Sequence, residues 1–271
     1  MIGALIGDTF GSPYELYFRN IHTKSFDLFH PQAPGSPYPP HPTDDSIMTL
    51  AVADLLVRGD GKDSQKLSEV LRSWGHKYPH AGYGGNFGHW LFDPTMGPYQ
   101  SFGNGAAMRI SPVGWFGQTE TEVKALAKTI TGVTHDNPDS FKAAEVTALS
   151  IFYLRQGKDK DFIRQYASRY YTIPSSVQEI WAYYASIRHH NSCQDTLPEA
   201  LFAFLVSDSF EDCLRTAISL GGDSDTLACI SCSIAEAYYR KVPSQLEDYV
   251  RNCFRDDKEA LALLNNPIFH D

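Results

Sequence analysis

Apolar residues recur at intervals of three and four along most of the chain, the spacing that lines one face of an α-helix. Between Ser46 and Val57 the series Ile47, Leu50, Ala51, Asp54 and Leu55 follows it. The same periodicity predicts helices over 64–78, 120–131, 139–156, 160–171, 175–190, 198–206, 209–219, 225–240 and 243–255. Thr119-Glu-Thr-Glu and Asp208-Ser-Phe-Glu-Asp have the acids of a first turn, while Gly157, Gly221 and Gly222 stand where helices would stop. No stretch alternates with period two, so the expected fold class is all-α.

Two segments interrupt the pattern. Phe29 to Thr43 is dense in proline, which fixes φ and cannot propagate a helix. Tyr78 to Gly117 is rich in glycine and aromatics and reads as irregular. Too few residues precede the first segment to make a domain, so both are expected to be loops on a single domain, 1–271, bordering a site.

Composition narrows the function. Of 271 residues 42% are hydrophobic and 13% aromatic, enough for a sizeable core, and a net charge of −9 argues against a nucleic-acid binder held by phosphate contacts. No apolar run reaches the ~20 residues of a membrane span, and Asp8 interrupts the N-terminal apolar stretch early, so a soluble, cytoplasmic protein is expected. The five cysteines, at 193, 213, 229, 232 and 253, form no regular framework. Cys229 and Cys232 read as small buried hydrophobes, because no second pair completes a zinc site.

Three carboxylate clusters lie beside small or hydroxylated residues: Gly7 to Glu15, Thr43-Asp44-Asp45-Ser46, and Gly221-Gly222-Asp223-Ser224-Asp225-Thr226. Adjacent acids repel, and a second acidic pair brought close to them would be untenable without a cation. Oxygen donors suit a hard ion, Mg²⁺ or Mn²⁺, over Zn²⁺. Helix capping accounts for either of the last two clusters alone. It does not account for the glycine pair before the acids, nor for the helix after them, whose Ala228, Ser231, Ser233 and Ala235 suit close packing in the interior. Two glycine-rich stretches, Tyr83 to Gly88 and Ser101 to Gly105, could bring backbone N–H groups to a pyrophosphate and a ring to a base.

In their order along the chain, Gly3 to Glu15, Thr43 to Ala51, Gly103 to Gly114, Thr134-His135 and Gly221 to Thr226 resemble the motifs of the ADP-ribosylglycohydrolases. The resemblance implies a compact orthogonal helical bundle with two Mg²⁺ ions at the bottom of an ADP-ribose cleft, Mn²⁺ being the alternative. Thr43, Asp44, Asp45, Asp223, Asp225 and Thr226 match the family's metal ligands, and Glu15 matches an acid that protonates the leaving group or activates water, with Asp44 or Asp45 as the second carboxylate. Ser101, Phe102, Gly103 and Asn104 match substrate contacts, with Gly84, Gly85, Asn86 and His135 beside them. Arg109 would help neutralise the ligand or tie down the Gly103 loop.

The implied activity is Mg²⁺-dependent release of ADP-ribose from a modified acceptor, a protein side chain before a small ADP-ribose derivative, by a monomer with no membrane or nucleic-acid partner. A non-catalytic, crystallin-like binder is the rival. This chain departs from many relatives in having Ser46 and Ser224 for Thr. It also has Ser231-Cys-Ser-Ile-Ala-Glu-Ala237 in place of a glycine-rich segment, with Glu236 expected to face solvent or a partner. Phe162 to His190 carries no matching motif and is expected to be packing, with Arg188-His189-His190 as a solvated helix end.

Overall fold

The computed structural model describes residues 1–15, 23–30, 39–61, 63–186 and 191–270, and every regular element among them is helical. In chain order these are α1 (Ile2–Gly11), α2 (Asp44–Arg58), α3 (Ser64–Lys77), α4 (Gly85–Phe92), α5 (Gly105–Met108), α6 (Ser111–Phe116), α7 (Glu120–Gly132), α8 (Pro138–Arg155), α9 (Lys160–Ala167), α10 (Val177–Ser186), α11 (Cys193–Val206), α12 (Phe210–Leu220), α13 (Ser224–Tyr239), α14 (Ser244–Cys253) and α15 (Lys258–Leu264). Short 3₁₀ turns follow α1 (Ser12–Tyr14) and α15 (Pro267–Phe269).

The periodic segments are helices, with shifted ends. The predicted 198–206 helix starts earlier, at Cys193, because the Ser192 side chain accepts from Asp195 N and Pro198 is taken into the helix. Arg188, His189 and His190, and 31–38 of the proline-rich loop, lie outside the described residues. The expectation of an irregular Tyr78 to Gly117 is corrected: it holds α4, α5 and α6, helices of eight, four and six residues, too short for a repeating apolar face to show.

At the centre α1 packs along α13. Every residue of α1 is buried, so it has no polar face and no amphipathic period. Its glycines at positions 3, 7 and 11 form one stripe against the small residues of α13. A Cβ at Gly7 would stand 2.1 Å from Ala228 O, and one at Gly3 or Gly11 2.5 Å from Cys232 O or Asp225 Cα. Two backbones thus touch where side chains ordinarily separate them. Ser231 and Ser233 are buried there without orphaned hydroxyls, since each donates to its own helix, to Leu227 O at 2.5 Å and Ile230 O at 2.7 Å. Cys229 and Cys232 are buried free thiols on the same helix.

Glu236, near the far end of α13, does not face solvent. It is 6% exposed and accepts from the Met1 ammonium and from Gly3 N, both at 2.8 Å. A positive terminus and an unsatisfied first-turn amide of α1 converge on it, partners distant in sequence that make its burial tolerable.

Candidate active site

Four helix starts surround one cavity of about 300 Å³. Asp44 and Asp45 open α2, Gly84 to Asn86 open α4, Asn104 and Gly105 open α5, and Asp223, Asp225 and Thr226 open α13. Glu15 reaches the cavity from just beyond the 3₁₀ turn after α1. The glycine pair explains the placement of Asp223. Gly221 and Gly222 both have positive φ, 81° and 67°, which lets the chain leave α12 and start α13 with three residues between them.

Neither acidic cluster serves as a cap for its own helix. Thr43 and Asp223 are the N-cap residues of α2 and α13, and neither makes a side-chain capping bond. The capping of α2 comes from α1. Asp8, fully buried, accepts from Thr43 N at 2.8 Å, Ser46 N at 3.1 Å, Thr43 Oγ1 at 2.5 Å and Ser46 Oγ. Asp44 and Asp45 are thereby left to the cavity.

The electrostatics of this arrangement are unfavourable for the protein alone. Burial first, then the charges of Asp8, Asp223 and Glu15, raises the Asp44 carboxyl well above the usual range. Burial and the charges of Asp8, Asp44 and Asp223 do the same to Asp45, and burial with Asp223, Glu15 and Asp45 to Asp225. Glu15, at the exposed mouth, is raised to about 7 by packing against the cavity wall and by Asp223 and Asp8. The ion pairs among the described residues lie elsewhere, as at Lys24–Asp212, Arg58–Asp54 and Lys77–Asp257.

The residues fit a bound cation. Glu15, Asp223 and Asp225 each offer an oxygen within 4.8 Å of the others, and Asp45 Oδ2 is buried with no hydrogen-bond partner. All these donors are carboxylate oxygens, the chemistry of a hard ion.

The glycine-rich loops line the same cavity. Gly84, Gly85, Asn86, Ser101, Gly103, Asn104 and His135 line the cavity together with the acids. Asn104 is tied to the acids and to α11, its Nδ2 donating to Asp223 Oδ2 at 2.8 Å and to Thr196 Oγ1 at 3.1 Å. The loop is held against the start of α11 by Asn104 N to Asn191 O and Cys193 N to Phe102 O, each 2.9 Å.

Two expected residues are not in the cavity wall. The Thr43 hydroxyl is committed to Asp8, and the Phe102 side chain is 62% exposed. Sequence reasoning missed Asp8 as the support of α2, although it lay in one of the acidic clusters, and it missed Tyr99, Gly82 and Asn191 in the lining, while Phe87 comes from the Tyr83 to Gly88 stretch it had singled out. Arg109 lines the cavity too, wholly buried and pushed down to about 10 by that burial.

The family model described as ADP-ribosylglycohydrolase matches residues 1–269. ADP-ribosylhydrolase ARH3 of Homo sapiens is 24% identical over 307 aligned residues, covering 88% of this chain and 84% of its own. ADP-ribosyl-[dinitrogen reductase] glycohydrolase of Rhodospirillum rubrum is 25% identical, covering 88% and 83%. A solved structure described as an ADP-ribosylglycohydrolase-related protein complex shares the fold, with a TM-score of 0.67 at 22% identity over 97% of this chain and 95% of that one. With the motifs in order, an all-helical fold and a match over nearly its full length, the chain belongs to the ADP-ribosylglycohydrolase family and is a glycosidase-type hydrolase.

Proposed function

We propose that this enzyme cleaves the bond between the anomeric carbon of ADP-ribose and a modified protein side chain, reversing mono-ADP-ribosylation. The observation that carries the reading is the convergence of Glu15, Asp44, Asp45, Asp223 and Asp225 on one cavity that glycine-rich loops also line. Relatives named for ADP-ribosylated substrates, including ADP-ribosylarginine hydrolase Tri1 of Serratia proteamaculans, support the substrate class.

Asp44, Asp45, Asp223 and Asp225, with Thr226, would hold two Mg²⁺ ions, or Mn²⁺, while Thr43, whose hydroxyl donates to Asp8, would brace that set. Bound there, the ions supply Lewis-acid polarisation and orient ribose hydroxyls. The start of α4 would present backbone N–H groups to the diphosphate, where a helix N-terminus favours negative charge. Phe102, exposed on the Ser101 to Asn104 loop, offers a ring to the adenine. Glu15 lines the cavity at an exposed position. It would pass the leaving group a proton, or take one from water, with Asp44 or Asp45 as the second carboxylate.

The chain acts as one monomeric domain over 1–271, supported by a hydrophobic cluster that runs from Met1 to Phe269. No helix among the described residues is long and apolar enough to cross a membrane. Free cysteines support a reducing, cytoplasmic setting.

The test is release of ADP-ribose from proteins modified separately on Arg, Ser and Thr, in Mg²⁺, in EDTA and with Asp225→Ala. Release from one linkage, lost in both controls, is the expected result. No release from any linkage by folded protein that takes up Mg²⁺ would overturn the protein-directed reading in favour of a small ADP-ribose derivative.

A further inference from the structure

His135 follows α7, and its two ring nitrogens meet different surroundings. Nδ1 lies 2.7 Å from Thr134 Oγ1 and 3.4 Å from Arg109 Nη2. Nε2 is on the side of the Gly103 to Gly105 turn, where a Cβ at Gly105 would stand 3.0 Å from it and one at Gly103 3.8 Å. Arg109 Nη2 also donates to Thr134 Oγ1 at 2.7 Å.

The direction of this chain follows from what each group can do. A guanidinium nitrogen only donates, so the Thr134 hydroxyl accepts from Arg109 and its own proton is directed to Nδ1. A proton already on Nδ1 would confront the Arg109 N–H and leave the buried Thr134 hydroxyl without an acceptor. The imidazole proton therefore belongs on Nε2. The ring also stays neutral, because burial and then the Arg109 charge hold its ionisation well below the ordinary histidine value. Tyr99 steadies the segment, its backbone N–H donating to Thr134 O at 3.3 Å with its ring beside His135. Arg109 is itself braced, its guanidinium 5.6 Å from the centre of the Phe87 ring.

We propose that Arg109 and Thr134 are positioning residues that lock His135 as the neutral Nε2–H tautomer, giving the cavity a fixed hydrogen-bond donor for an acceptor oxygen of the ligand. The ligand's identity as an ADP-ribosyl group rests on the function proposed above; the tautomer does not. The device confers selectivity, because a locked donor receives a phosphate, hydroxyl, ring or carbonyl oxygen and rejects a group that can only donate, such as an ammonium or an amide N–H, held in the same place.

The experiment is ¹⁵N NMR of histidine-labelled protein, with the His135 signals assigned from the His135→Gln spectrum, in the wild type, Thr134→Val and Thr134→Ser. ADP-ribose binding is measured on the same samples by calorimetry. The wild type and Thr134→Ser should show Nε2 protonated and Nδ1 bare, and Thr134→Val should show a mixture with affinity for ADP-ribose reduced about tenfold. Protonated Nδ1 in the wild type overturns the proposal whether or not Thr134→Val folds, and so does an unaltered tautomer and affinity in folded Thr134→Val. A wild type that fails to bind ADP-ribose while its tautomer responds to Thr134→Val supports the relay and overturns the ligand instead.

Discussion

Helix α13 buries acids at both of its ends, and the two ends treat them in opposite ways. Near its C-terminus Glu236 has the Met1 ammonium and the Gly3 amide, each at 2.8 Å. At its N-terminus Asp225 faces Asp45, Asp223 and Glu15, and Asp45 Oδ2 has no hydrogen-bond partner at all. One end is satisfied by the chain and holds the fold together. The other is left unsatisfied at a cost in stability, and that deficit is what a cation and a substrate would fill.

Removing an acid should therefore have effects of opposite sign at the two ends. Glu236→Ala leaves the buried Met1 ammonium, which also donates to Phe269 O, without its counter-charge, and urea unfolding should show a loss of about 3–5 kcal/mol. Mg²⁺ at a hundredfold excess over its dissociation constant should raise the wild type by about 2.7 kcal/mol in the same assay, and leave an Asp45→Asn, Asp225→Asn double variant unmoved. Without metal, Asp45→Asn should itself be more stable than wild type, by about 2 kcal/mol, while ADP-ribose release in Mg²⁺ falls to background. A loss of stability in that variant would erase the distinction between the ends.

Glu199 on α11 is an intermediate case, a carboxyl paired with a neutral group. It accepts from the buried Tyr184 hydroxyl, and burial raises it from 4.5 to about 8. Between those values the folded protein keeps a proton that the unfolded chain releases. Stability should therefore fall as pH rises through that window, by up to about 1.4 kcal/mol per pH unit. Glu199→Gln should remove that part of the slope, as read from the urea midpoint at successive pH values.

The amphipathic helices were legible because a partly exposed helix writes its period into the sequence. Helix α1 was not, since all ten of its residues are buried and no polar face exists to set a phase. Its one signal was Gly3, Gly7 and Gly11, four apart, which marks close approach to another backbone. The acidic clusters could be recognised locally, as could the glycine pair that ends α12. What stayed hidden were partnerships between distant segments. Asp8 supports Thr43 and Ser46 from 35 and 38 residues away, and Glu236 meets the chain's first residue. A polar residue near a helix end looks solvated until the group that neutralises it arrives from elsewhere in the fold.

If the acids hold a cation, the glycine stripe bears on which ion they would accept. Gly7 lies so close to α13 that there is no room for a Cβ, and Asp8, the next residue, holds the start of α2. The spacing between the acid-bearing ends of α2 and α13 is thus gauged by backbone touching backbone, a contact that cannot be compressed and has no rotamers through which to relax. Ionic radius would then be judged by the helix packing itself, and widening that contact by one methyl group should shift the preference toward a larger cation before it changes a single ligand.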